Sequence, residues 1–121
     1  MAKHSVLPRL DDILEAIEGI EGIIRGMDFD AYKKDYRARR AVERCVEIVS
    51  EASRHLEADL TDRYPNIPWH DVRGIGNRLR HEYQRVDDGI IWLVATKSLP
   101  ELKPAIRAMI ADLESQPDKG A

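Results

Sequence analysis

Within two helical turns the chain reads Gly76-Asn77-Arg78-Leu79-Arg80-His81-Glu82-Tyr83, which gathers a histidine, an amide, a phenol and two guanidinium groups. Those types suit proton transfer next to a phosphate. An imidazole, with an unperturbed pKa of about 6.5, exchanges protons near neutrality. A guanidinium is always charged and meets phosphate oxygens bidentately. A neutral amide such as that of Asn77 can orient the imidazole or donate to a phosphate oxygen. On a helical wheel Val72, Ile75 and Leu79 form the apolar stripe, while Asn77, Arg78, His81 and Arg85 lie on the other side. His81 is therefore expected to face solvent, a cleft or a partner chain. The competing reading is a solvated basic face with one incidental histidine.

Gly74 and Gly76 stand inside the same helix, where each costs about 1 kcal/mol relative to alanine. Either they let helices pack closely within the bundle, or they admit a partner helix or an RNA backbone. Lys33, Arg37, Arg40 and Arg44, at steps of four, three and four, make a cationic ridge on an earlier helix. A solvated face partnered by Asp35, Glu43 and Glu47 accounts for it, and backbone contacts to a nucleic acid are the alternative. Trp69 and Trp92 read as core or interface anchors. His4, His55 and His70 lack metal-ligand spacing, Cys45 stands alone, and no glycine-rich loop follows a strand, so neither a metal nor a cofactor is expected.

The elements that position these groups are helical. Val6, Leu10, Ile13, Ile17, Ile20, Ile24 and Met27 trace a first helix, with Ser5 able to cap it and Pro8 in its first turn. Asp28 is a plausible cap for a second, with Tyr32, Tyr36, Val42, Val46, Val49 and Leu56 as its buried face to about Leu60. At 1.5 Å per residue it would span about 45 Å and be the longest element. Tyr64-Pro65-Asn66-Ile67-Pro68 is a break, and the motif helix follows from Pro68 to about Gln84. Asp87 or Asp88 caps the next segment, Gly89 to Lys97. Ser98-Leu99-Pro100-Glu101 reads as a capping box for a last helix carrying Leu102, Ile106, Ile110 and Leu113. No stretch alternates with period two. The expectation is an all-α antiparallel bundle of four to five helices, one domain over residues 1–114 with a flexible tail over 115–121.

The 121 residues suffice for a core, and 34% charged with 43% hydrophobic residues is ordinary for a soluble globular protein. A net charge of −3 argues against whole-molecule attraction to nucleic acid, so any contact with RNA must come from a local patch. The lone cysteine fits a reducing compartment, and no signal peptide or membrane span is legible, so a cytoplasmic location is expected.

The spacing Asn77-x3-His81-x-Tyr83, followed by Asp87 and an apolar segment ending in Leu99-Pro100-Glu101-Leu102-Lys103, resembles the HepT-like branch of the HEPN superfamily over nearly the whole chain. That branch carries Arg-Asn-x3-His-x-Tyr; Asn77, His81 and Tyr83 match, and Gly76 stands where the family has its arginine. The resemblance implies a HEPN-like bundle and a homodimeric toxin that cleaves RNA without a metal, the 2′-hydroxyl attacking the adjacent phosphorus. No DNA substrate is expected. It implies catalytic roles for His81 and Asn77; Arg78, one turn before His81 and on its face, is the best local substitute for the missing arginine and the third catalytic candidate, with Arg73, Arg80 and Arg85 as alternatives and further RNA contacts. It also implies a nucleotidyltransferase antitoxin that adds AMP to Tyr83. A helical partner that binds a nucleotidyltransferase or RNA without cleavage is the alternative.

Overall fold

The alternating spacing of Val6, Leu10, Ile13, Ile17 and Ile20 folds as one helix, α1 (Lys3–Ile24), in a computed structural model that describes residues 3–81 and 87–116. All five side chains are buried. The helix starts ahead of Ser5, so Ser5 lies inside it and Pro8 falls in its second turn. At 22 residues it is the longest α-helix among the described residues, displacing the expected 28–60 helix.

That expected helix is three: α2 (Phe29–Lys34), α3 (Tyr36–Ser53) and α4 (Ala58–Thr61). Asp28 caps α2 by accepting the Ala31 N–H at 2.9 Å. Asp35 makes the first corner. Its backbone is extended, its N–H closes α2 on the Tyr32 carbonyl, and its carboxylate opens α3 by accepting the Ala38 N–H at 2.9 Å. The corner swings Tyr32 into the core against Trp92, ring centroids 5.1 Å apart, and leaves Tyr36 65% exposed, where periodicity had placed both on one buried face.

After the proline break comes α5 (Trp69–His81). Trp69 anchors its start, its indole N–H shared between the carbonyls of Thr61 and Tyr64 at 3.2 Å each. Then Asp87 caps α6 (Asp88–Leu93) through the Ile90 N–H at 2.8 Å. The expected capping box at Ser98 does not form. Ser98 has helical dihedrals and makes no side-chain cap bond, and residues Val94–Ser98 form a π-turn that joins α6 to α7 (Leu99–Ser115) without a break. The Leu99 N–H reaches back to the Val94 carbonyl. Pro100 brings no N–H to this turn and its ring crowds the carbonyl four residues back, so the wider turn lets the rod continue.

The central helix α1 packs on α3 and on α7, and α5 lies on the outer side of α3. Lys103 reaches Glu21 at 2.6 Å and Arg107 reaches Glu18 at 3.3 Å, which fixes α7 antiparallel to α1. Four long rods, α1, α3, α5 and the α6–α7 rod, with α2 and α4 as corners, make an all-α antiparallel bundle with no strand among the described residues.

Candidate functional site

The motif helix sits on α3 through a contact that only glycine allows. Ser50, fully buried on α3, donates its hydroxyl to the Arg73 carbonyl at 2.7 Å and accepts the Gly76 N–H at 3.1 Å. A β-carbon on Gly76 would stand 2.6 Å from that oxygen and 2.8 Å from the Ser50 Cβ. Position 76 therefore faces α3 and is a packing position. The seam of α5 runs through Trp69, Gly76 and Leu79, all buried. Val72 and Ile75, expected in the same stripe, are half-buried, because the Gly76–Ser50 approach sets which side of α5 meets α3.

The turned-out side of α5 borders an open cleft of about 610 Å³ between this helix and the α6–α7 rod. Val46 and Val49 of α3 contribute to its lining, Ile90, Val94, Ser98 and Leu99 form the far wall, and α5 supplies His70, Asp71, Val72, Gly74, Ile75, Asn77, Arg78 and His81. Asn77, Arg78 and His81 thus meet in one cleft, all exposed. The other arginines diverge. Arg80 donates to Asn77 Oδ1 at 2.9 Å, stands 4.0 Å from Glu51, and borders a smaller recess with Arg9, Asp12, Arg44 and Glu47. The Arg73 guanidinium turns toward α3, its Nε 3.5 Å from the Ser53 carbonyl. Among the described arginines, Arg78 alone shares the cleft with His81. Tyr83 and Arg85 lie outside the described residues.

The cationic ridge is divided by the Asp35 corner. Lys33 is on α2, 5.9 Å from the Phe29 ring centroid, while Arg37, Arg40 and Arg44 are on α3. Arg40 pairs with Glu43 at 2.9 Å and Arg44 with Glu47 at 3.7 Å; Glu43 is buried, whereas Arg44 is exposed. Asp35 is spent on capping rather than on pairing. Behind this ridge, burial pushes the Glu43 carboxyl above the usual carboxylate range, with Arg40 pulling against it and Asp88 adding to it. Burial likewise raises the Tyr32 hydroxyl, with Glu43 adding to the shift.

Sequence reasoning missed His70, Asp71 and the open side of Gly74. Asp71, Gly74, Arg78 and His81 follow steps of three, four and three, so one helix face carries all four, and that signal was present in the chain. Among the described residues no group of three or more His, Cys, Asp or Glu side chains could hold a metal ion, and no helix is long and apolar enough to cross a membrane.

An all-α bundle that presents His81, Arg78 and Asn77 from one helix to a cleft fits the fold that the resemblance implies. Comparison with known families and proteins agrees: the family model described as ribonuclease HepT-like matches residues 13–109, and the chain belongs to that family. The chain is 36% identical over 101 residues to the "Probable ribonuclease HepT" of Thermococcus cleftensis, covering 84% of this chain and 92% of that protein. Two proteins of Methanocaldococcus jannaschii, whose names provisionally assign them as RNases, are 32% and 30% identical over 116 residues, each alignment covering 96% of both chains. No solved structure matches at a significant level.

Proposed function

We propose that this protein is an endoribonuclease toxin that cleaves RNA without a metal, using His81 and Arg78 in the α5 cleft. In this reaction the ribose 2′-oxygen forms a bond to the adjacent phosphorus and the bond from phosphorus to the 5′-oxygen breaks, leaving a 2′,3′-cyclic phosphate. Neutral His81 takes the 2′-hydroxyl proton and returns it to the departing 5′-oxygen. Arg78 meets the charge on the phosphoryl oxygens, and Asn77, steadied by Arg80, lends an amide donor. The observation that carries this reading is that His81 and Arg78 line one cleft in a chain of the ribonuclease HepT-like family.

The same reading makes the active species a cytoplasmic homodimer, which brings two copies of the motif together. A nucleotidyltransferase antitoxin neutralises it by transferring AMP from ATP to the Tyr83 hydroxyl with release of pyrophosphate, which places bulk and negative charge beside the site. One observation favours a second reading. Position 76, where the family motif has its arginine, is a buried glycine, as a non-catalytic partner that binds a nucleotidyltransferase or RNA could tolerate.

Cleavage of total cellular RNA and tRNA in EDTA separates the two. Wild type, freed of any AMP on Tyr83, is expected to cut, and His81→Ala and Arg78→Ala are expected to lose cutting while staying folded. A well-folded wild type that does not cut would leave the binding partner standing.

A further inference from the structure

Two glycines two residues apart on α5 stand in opposite situations. A β-carbon on Gly76 would collide with Ser50, whereas one on Gly74 would meet nothing within 4 Å. Packing therefore explains Gly76 and leaves Gly74 unexplained: a helix-weakening residue sits where alanine would fit. Gly74 lines the cleft between Asp71 and Arg78, so its missing side chain leaves the helix backbone bare along one wall. Gly22 inside α1 is equally open, so openness alone marks no site; what sets Gly74 apart is that it lines this cleft.

What the cleft could receive follows from its lining. Its walls are aliphatic, with Val46, Val49, Ile75 and Val94 among them, while its His81 end carries Arg78 and Asn77. This combination suits a flat apolar body attached to an anion. Arg78 and Asp71 are seven residues apart, about 10 Å along the helix, which is the reach of one nucleotide from its phosphate to the far edge of its base. Unstacked bases of single strands are held in this way, their faces against apolar side chains and their edges read by polar ones.

We infer that this cleft is a nucleobase subsite: it takes one unstacked base of single-stranded RNA against the bare backbone of Gly74, with its phosphate at Arg78 and His81 and its hydrogen-bonding edge at Asp71. The inference rests on the proposed nuclease reading and names its substrate class as single-stranded. Base-paired RNA is excluded, because a base held in a helix cannot enter.

Binding can be measured apart from cleavage by using full-length His81→Ala protein with fluorescein-labelled RNA decamers, read by anisotropy. The decamers are the four homopolymers, an abasic chain of the same charge and a duplex. The single-stranded homopolymers are expected to bind at least ten-fold more tightly than the abasic chain or the duplex. Adding Gly74→Leu is expected to bring them down to the abasic level without lowering Tm, and Gly74→Ala should raise Tm. Asp71→Ala is expected to narrow the spread among the four homopolymers. Equal binding of homopolymer and abasic chain, or indifference to Gly74→Leu, overturns the inference. So does a change of mass by light scattering in Gly74→Leu, which would mark the cleft as a seat for a second copy. If His81→Ala still cleaves RNA, the catalytic reading fails and the base subsite stands on its binding data; if His81→Ala abolishes cleavage but shows no base dependence, only the subsite fails.

Discussion

Ser50 holds Gly76 by the atom that forbids any other residue there: its Oγ accepts the Gly76 N–H at 3.1 Å and lies 2.6 Å from where a Gly76 β-carbon would stand. Gly76→Ala is expected to destabilise the protein by about 1–3 kcal/mol through overpacking. Ser50→Ala should not rescue it, because the Ser50 Cβ is itself only 2.8 Å from the added atom, whereas Ser50→Gly should rescue in part. Urea denaturation of the single and double variants tests this. Writing the family arginine back in as Gly76→Arg should unfold the helix seam rather than improve cleavage.

Arg78 and Arg80 differ by where they point, so they should differ in kinetics. Arg78→Ala is expected to lower kcat by about 10²-fold, in the range for losing a donor to developing negative charge. Arg80→Ala removes the Asn77 contact and a distant ion pair and should cost several-fold at most. Single-turnover cleavage with stability measured in parallel gives the comparison. Equal losses would mean that the cleft-lining position is not what selects Arg78.

Glu43 gives a pH signature. Its folded-state pKa is raised by burial, so the stability it contributes is fully present below the ordinary value of 4.5 and is lost as pH rises through its higher folded value. The amide introduced by Glu43→Gln does not titrate. The Tm of this variant minus that of wild type is therefore expected to grow as pH goes from about 4 to 7. A difference that shrinks over this range would show that Arg40 at 2.9 Å outweighs burial.

Asp35→Ala removes the carboxylate that starts α3 and should cost about 0.5–2 kcal/mol. Asp35→Asn keeps an acceptor at the cap and should lose much less. Thermal melts of the two variants decide whether this corner is held by its cap or only by Tyr32 behind it.

The sequence made the helical class legible because buried positions recur at helical spacing in α1, α3 and α7, and because Asp28 and Asp87 carry cap chemistry that the structure uses. It hid the boundaries. Periodicity runs unbroken across Asp35, since an aspartate mid-pattern reads equally as a solvent-facing residue or as a cap, and its use as a cap goes with the burial of Tyr32, which no local pattern shows. The spacing of Ser98 and Glu101 suggested a capped helix start, but a π-turn joins the two segments and the rod runs on. Around the motif, the wheel set Asn77, Arg78 and His81 apart from Leu79, as their exposure confirms, yet it placed Val72 and Ile75 inside. Which side of α5 meets α3 depends on a non-local contact between Ser50 and Gly76, 26 residues apart. No local pattern encodes that choice.

The cleft has walls from different parts of the polypeptide. Its motif wall, α5, leans on α3 and is synthesised first; its opposite wall belongs to the rod whose Ile106 and Met109 bury themselves completely and whose Lys103 and Arg107 reach α1. A ribosome that has just released His81 has therefore made the cleft-facing side chains of α5 but not the enclosure around them. Only when the final rod folds back onto the first helix does the molecule acquire the far wall of this cleft, so the cleft is enclosed by the part of the chain made last.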